Sequence, residues 1–273
     1  MRMFFANSLA RFSVLLDEIV ENRSIRLGLG TILLTIQRRA FFPRTLSIFL
    51  VWFAMQRCNC PTPHSEYHLK PWFEDQGDKS FVDVGAGTGR HSIYMASRCA
   101  RVYAFEPNPS SCYVLSYRLR RHKNVEVYRV AIGEKDHVGW LHLHHNPAHN
   151  SLIKKAPDFS GRKIRIPVRH LDSYQFAVPV GLIKVDVEGY EAQVLSGAKR
   201  TIEQHRPRII AEIHPPYESN REAVSKILSM HGYSLSTIRN PNPRIQVWGH
   251  VIATPPERGC EPQDMRGDPP AEQ

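Results

Sequence analysis

The segment from Phe81 to Asn108 constrains this chain more than any other. A short β-rich run, Phe81-Val82-Asp83-Val84, passes directly into Gly85-Ala86-Gly87-Thr88-Gly89, and the pattern from about Arg90 to Cys99 is helical. Glycine permits positive φ and close approach of backbone to a ligand, and the first amides of the following helix have no partners within it. A second apolar run, Arg101 to Phe105, ends in Glu106-Pro107-Asn108, which sets a carboxylate 21 residues beyond the first glycine. Nucleotide sites on α/β sheets place at that separation the acid that accepts hydrogen bonds from ribose hydroxyls. The order strand, glycine turn, helix, strand, acid therefore predicts a doubly wound α/β sheet with a nucleoside-bearing cofactor across the turn. Asp83, Gly85, Ala86, Gly87, Gly89, Glu106 and Asn108 are the expected cofactor contacts.

The spacing of the glycines selects among cofactors. Dinucleotide sites favour G-x-G-x-x-G, whereas this turn is G-x-G-x-G with Asp83 before it, which favours S-adenosylmethionine over NAD. An NAD-dependent dehydrogenase is the competing reading, and it requires measurable NAD affinity. A third strand, Val125 to Val130, leads to Ala131-Ile132-Gly133-Glu134, where Ile132 is placed to cover one face of an adenine ring. An alternating, hairpin-like stretch, Val138 to His145, precedes Ile164 to Val168 and Leu171-Asp172.

The fourth core strand, Gly181 to Asp186, continues through Val187-Glu188-Gly189-Tyr190-Glu191 into a helix reaching about Gln204. The fifth, Arg208 to Ile213, adds Glu212 and is followed by His214. Ligands of open parallel sheets bind at the carboxyl ends of strands, so Lys184, Asp186, Glu188, Glu191, Glu212 and His214 are predicted to face the same crevice as Gly85 and Glu106. Plainer roles compete for two of them: Glu191 complements the first turn of its helix, and Lys184 pairs with a neighbouring acid.

At these residues the sequence resembles the FkbM family of S-adenosylmethionine-dependent methyltransferases. The matching runs are VDVGAGTG at 82–89, FEPNP at 105–109, LD at 171–172, IKVDVEGYEAQVLSGA at 183–198 and AEIH at 211–214. The resemblance implies a Rossmann-like class I methyltransferase with a mostly parallel doubly wound sheet. It also implies S-adenosylmethionine as methyl donor and O-methylation of a hydroxyl on a sugar, polyketide or other small molecule. In such an enzyme Asp186 is expected beside the donor methionine and the acceptor. His214 is the expected base, because its unperturbed pKa lies near neutrality, with Glu188 or Glu212 orienting or replacing it. Oxygen ligands at 186, 188 and 212 would suit magnesium, but no metal is assigned.

Outside this domain the composition changes. Residues 1–65 hold eight arginines against three acids, with apolar residues at helical spacing, and read as a basic amphipathic helical extension. Its most apolar run, Leu46 to Met55, is about half the length of a spanning helix, so these helices are expected to pack on the domain, shape its acceptor entrance or rest peripherally on an anionic membrane through residues 1–60. Residues 66–254 form the methyltransferase-like domain, entered through a proline-punctuated linker near 58–72, and 255–273 read as a disordered tail. Five cysteines without repeated spacing and no secretory leader suggest free thiols in a reducing cytoplasm.

The net charge of +10 would suit an anionic partner. His214-Pro215-Pro216-Tyr217 evokes the Asn- or Asp-Pro-Pro-Tyr run of adenine amino-methyltransferases, yet it follows the fifth strand instead of the fourth and has His where the amide or acid belongs. A nucleic-acid acceptor is accordingly disfavoured, and a hydroxyl of a small molecule or glycan is preferred. A non-catalytic cofactor-binding or membrane-associated module is the remaining alternative, opposed by the intact Asp186, Glu188 and His214. Histidines 142, 144, 145 and 149 suggest a metal, but on an exposed hairpin with no fixed partner they read as solvated.

Overall fold

The computed structural model describes residues 69, 71–144, 149–153, 159–213, 218–238 and 249–256. The expected helical extension over 1–65, most of the linker, the tail beyond 256, His145 and the run from His214 to Tyr217 lie outside the described residues.

Seven strands form the main sheet: β1 (Gly77–Val84), β2 (Cys99–Phe105), β3 (Val125–Tyr128), β7 (Val180–Val185), β8 (Arg208–Ile213), β9 (Ser234–Ile238) and β10 (Gly249–Thr254). Their order is β3-β2-β1-β7-β8-β10-β9. Neighbours from β3 to β8 are parallel, whereas β10 runs antiparallel to both β8 and β9. Strand order reverses between β1 and β7, and such a switch point opens a crevice beyond the carboxyl ends of the two strands.

Continuous apolar runs build the centre because both faces are covered. From Ser80 to Val84 every residue of β1 is buried. Phe81, Val102, Leu182, Ile210 and Ile252 pack on one face with Leu69, Phe73 and Met95. Val82, Val84, Ile183, Val185, Ile209, Ala211 and Val251 pack on the other, in the largest core cluster. That second face is covered by α3 (Glu191–Ser196), α4 (Lys199–His205) and α5 (Glu218–Met230), which contribute Val194, Ile202, Val224 and Leu228.

The first two helices start differently. Helix α1 (Arg90–Met95) follows Gly89, and α2 (Pro109–Leu119) has Pro109 in its first turn and Asn108 at its N-cap, whose side chain accepts from the Ser110 amide at 2.9 Å. A second sheet, in the order β4-β6-β5, is built from β4 (Ala131–Ile132), β5 (His137–His144) and β6 (Phe159–Arg169). It buries Ala131, Leu141, Ile166 and Val168.

Three expected boundaries move. Helix α1 ends at Met95, and the chain is back in strand by Cys99. The strand expected over 125–130 stops at Tyr128, because Ala131 and Ile132 leave the main sheet to pair with Val168 and Arg169. The helix expected to reach Gln204 is broken at Gly197-Ala198. There the backbone of Gly197 passes so close to Gly133 that an added Cβ would lie 2.0 Å from its carbonyl oxygen. Asp172, in the 3-10 turn Leu171–Ser173, restarts the helix: its carboxylate accepts from the amides of Arg200 and Thr201 at 2.9 and 2.8 Å and from the Thr201 hydroxyl at 2.7 Å.

Candidate active site

The crevice forms where the glycine turn meets the end of β7. Gly85 has φ 80, and a Cβ there would lie 1.8 Å from the Asp186 carbonyl oxygen, so glycine is what lets the two strand ends touch. Gly87 is the opposite case: at φ 55 it has no atom within 4 Å of a built Cβ and faces open space. Gly89 caps α1, and Ala86 is buried against Ala104, Leu115 and Leu119. Ile132 is 1% exposed and belongs to the main core cluster.

Three carboxylates surround the turn. Glu106 is buried, its Oε2 accepting from the Gly87 amide at 2.8 Å and its Oε1 from the Asn108 amide at 2.7 Å. Burial raises its pKa to about 7; the two amide bonds oppose that shift, and the charges of Asp83 and Asp186 add to it. Asp83 is fully buried and paired in register with Ala104 and Lys184. Its Oδ2 accepts from Ser92 Oγ at 2.6 Å, while Oδ1 has no hydrogen-bond partner among the described residues. Asp186 forms an ion pair with Lys184 Nζ at 3.0 Å, as the plainer reading of Lys184 anticipated.

The loop after β7 is fixed by its own residues. Glu188 has φ 57, uncommon for a residue with a side chain, and is 5% exposed. Glu191 is fully buried, and its Oε1 accepts from the amides of Val187 and Gly189 at 3.2 and 3.0 Å. Its other oxygen accepts from Asn220 on α5, whose Oδ1 in turn accepts from the Ala192 amide at 3.2 Å. Glu191 thus holds the loop in shape.

Two histidines complete the carboxylate pairs. His149 was expected to be solvated, yet its Nδ1 lies 3.0 Å from Glu188 Oε1 in the loop after β7. His250 Nε2, on fully buried His250, lies 3.5 Å from Glu212 Oε2; the two residues are cross-strand partners of β10 and β8. Neither pairing has a local sequence signal, since each joins segments distant in the chain. Asp186, Glu188 and Glu212 each face a different base, and no group of three or more His, Cys, Asp or Glu among the described residues is arranged to hold a metal ion. His214, the expected base, lies outside the described residues.

Ribose hydroxyls suit this crevice as hydrogen-bond donors. Each Glu106 oxygen keeps acceptor capacity beyond its amide bond, and the negative charge of Asp186 is met by the Lys184 ammonium at 3.0 Å. Among the described residues no helix is long and apolar enough to cross a membrane.

Known proteins resemble this chain over the same region. Hexuronic acid methyltransferase AglP of Haloferax volcanii is 29% identical over 157 residues, which cover 57% of this chain and 64% of that protein. The methyltransferase FkbM of Methylobacillus flagellatus KT superposes with a TM-score of 0.48 at 22% identity, covering 64% of this chain and 43% of that one. Fibrillarin of Aeropyrum pernix, solved with natively bound S-adenosyl-L-methionine, gives a TM-score of 0.43 at 16% identity, over 67% of this chain and 68% of that one. The model of the methyltransferase FkbM domain matches residues 83–235, more than half of the sequence, and the chain belongs to that family.

Proposed function

We propose that this chain transfers a methyl group from S-adenosylmethionine to a hydroxyl oxygen of a glycan, with a sugar bearing a hexuronic acid as the acceptor class. The observation that carries the reading is the acidic crevice at the glycine turn, where buried Glu106 accepts the Gly87 amide within reach of the charges of Asp83 and Asp186. The acceptor class is supported by kinship with a hexuronic acid methyltransferase.

The donor supplies an electrophilic methyl on a cationic sulfur. Glu106 would accept hydrogen bonds from the ribose hydroxyls, the open side of Gly87 would admit the ligand against backbone, and Asp83, with Asp186 beside its Lys184 partner, would supply negative charge towards the cationic centre. Asn108 orders the segment after β2 by capping α2. Lys184 keeps Asp186 in place, and the loop 187–191 sets the acceptor side at the end of β7.

Calorimetric titration with S-adenosylhomocysteine and with NAD tests the cofactor assignment. Micromolar binding of the first alone, weakened about tenfold or more in Glu106→Ala, supports it. Binding of NAD alone, or of neither ligand, refutes it. Incubation with labelled S-adenosylmethionine and hexuronic-acid oligosaccharides then tests the acceptor: an alkali-stable methyl ether is expected, and no incorporation rejects this acceptor class.

A further inference from the structure

We propose that His149 is the general base of the transfer, oriented by Glu188; the inference rests on the hydroxyl-methylation reading above. A sugar hydroxyl is a poor nucleophile until its proton is taken, whereas a carboxylate acceptor would need no base. Residues 149–151 place an imidazole at the loop after β7, the loop that begins at Asp186 against the glycine turn.

Residues 149–151 are tied down on two sides. Ser151 exchanges two backbone hydrogen bonds with His142 on β5, at 2.8 and 3.2 Å, and its hydroxyl donates to the Glu188 carbonyl at 2.7 Å while accepting from the Ile153 amide at 3.0 Å. Asn150 Oδ1 accepts from the His144 amide at 2.8 Å, and the His144 and His149 rings meet edge to face with centroids 5.3 Å apart. Glu188, 5% exposed and held at positive φ, directs Oε1 to His149 Nδ1 at 3.0 Å. A neutral imidazole in this arrangement donates through Nδ1 and leaves Nε2 as an acceptor. The His149 side chain is 47% exposed, so an acceptor can reach it, while its carboxylate partner is 6% exposed and keeps its orientation.

In the transfer the acceptor oxygen bonds to the methyl carbon as the carbon–sulfur bond breaks, with that electron pair remaining on sulfur. The hydroxyl proton passes to His149 Nε2, and the resulting imidazolium faces the Glu188 carboxylate until solvent removes the proton.

Two measurements on the full chain test this. Nitrogen-15 spectra of histidine-labelled protein, recorded where imidazole is neutral, report which ring nitrogen carries the proton; the His149 signal among the 14 histidines is identified by its loss in His149→Ala. The expected form is Nδ1–H, reverting to Nε2–H in Glu188→Ala. An Nε2–H form in the wild type, or no change in Glu188→Ala, overturns the proposal whether or not turnover is found.

In kinetic assays, His149→Ala is expected to lower kcat by about 10²- to 10⁴-fold, to leave S-adenosylhomocysteine affinity within about twofold, and to regain part of its rate with added imidazole. Unchanged kcat in His149→Ala, or an alkali-labile ester as product, overturns it. A wild type that does not bind S-adenosylhomocysteine fails at the functional reading instead, an outcome separable from a wild type that methylates without needing His149.

Discussion

Cofactor affinity should follow the charge of Glu106. Burial holds this carboxyl at about 7 against an ordinary 4.5. Both of its oxygens already accept backbone amides at 2.7 and 2.8 Å, so a proton on either would confront a donor and remove an acceptor that ribose hydroxyls need. If only the carboxylate binds ligand, the apparent Kd scales as one plus ten to the power of seven minus pH. Between about pH 8 and about pH 5.5 that amounts to a weakening of about thirtyfold, or about 2 kcal/mol. Titration with S-adenosylhomocysteine in buffers of different ionisation enthalpy reads the affinity and the protons together, with nearly one proton released per ligand at the acid end.

The ligand-free protein should behave in the opposite sense. A carboxyl whose pKa is raised by folding contributes stability that is complete below about 4.5 and lost as pH rises through about 7, so this group lowers the free protein's thermal midpoint over the range in which ligand binds more tightly. A Kd that stays flat from about pH 5.5 to about pH 8, or the same slope in Glu106→Gln, would refute the reasoning.

Gly85→Ala should destabilise by about 3 kcal/mol or more, because its Cβ meets the Asp186 carbonyl, whereas Gly87→Ala, facing open space at positive φ, should cost about 1 kcal/mol; thermal melts compare the two. Asp172→Ala removes the acceptor of two helix-start amides and a hydroxyl and should cost about 2 kcal/mol in denaturant unfolding, with S-adenosylhomocysteine affinity unchanged. Glu191→Ala strands the Val187 and Gly189 amides and should cost about 3 kcal/mol, lowering kcat as the loop loses its shape; a variant as stable as wild type would contradict that role.

The parts of the site written as contiguous segments were legible in the sequence. The turn from Asp83 to Gly89, the acid at Glu106 and the run from Lys184 to Glu191 each combine strand, turn and polar residue within a few positions, and local pattern suffices to place them at strand ends. What could not be read depends on which distant segments meet. Nothing near His149 signals that it meets Glu188 in the loop after β7, and His250 finds Glu212 only through the antiparallel pairing of β10 with β8. The break between α3 and α4 was missed for a similar reason: Gly197 reads as a tolerable glycine inside a helix, and its close approach to Gly133 appears only once the second sheet is in place. The Leu171-Asp172 pair, to which the sequence assigns no task, gains its physical reason from the helix that Asp172 restarts.

The position of β10 governs when the sheet can be completed. It comes last among the described strands, yet it lies between β8 and β9. A nascent chain that has emerged only as far as Ile238 would carry β9 without its sheet neighbour and would present the edge of β8, buried from Ile209 to Ile213 in the finished fold, as an open template for other chains. Release of Gly249–Thr254 from the ribosome is therefore the event that seals the sheet, and a stop codon placed just before Gly249 should produce an aggregating product, not a shortened enzyme.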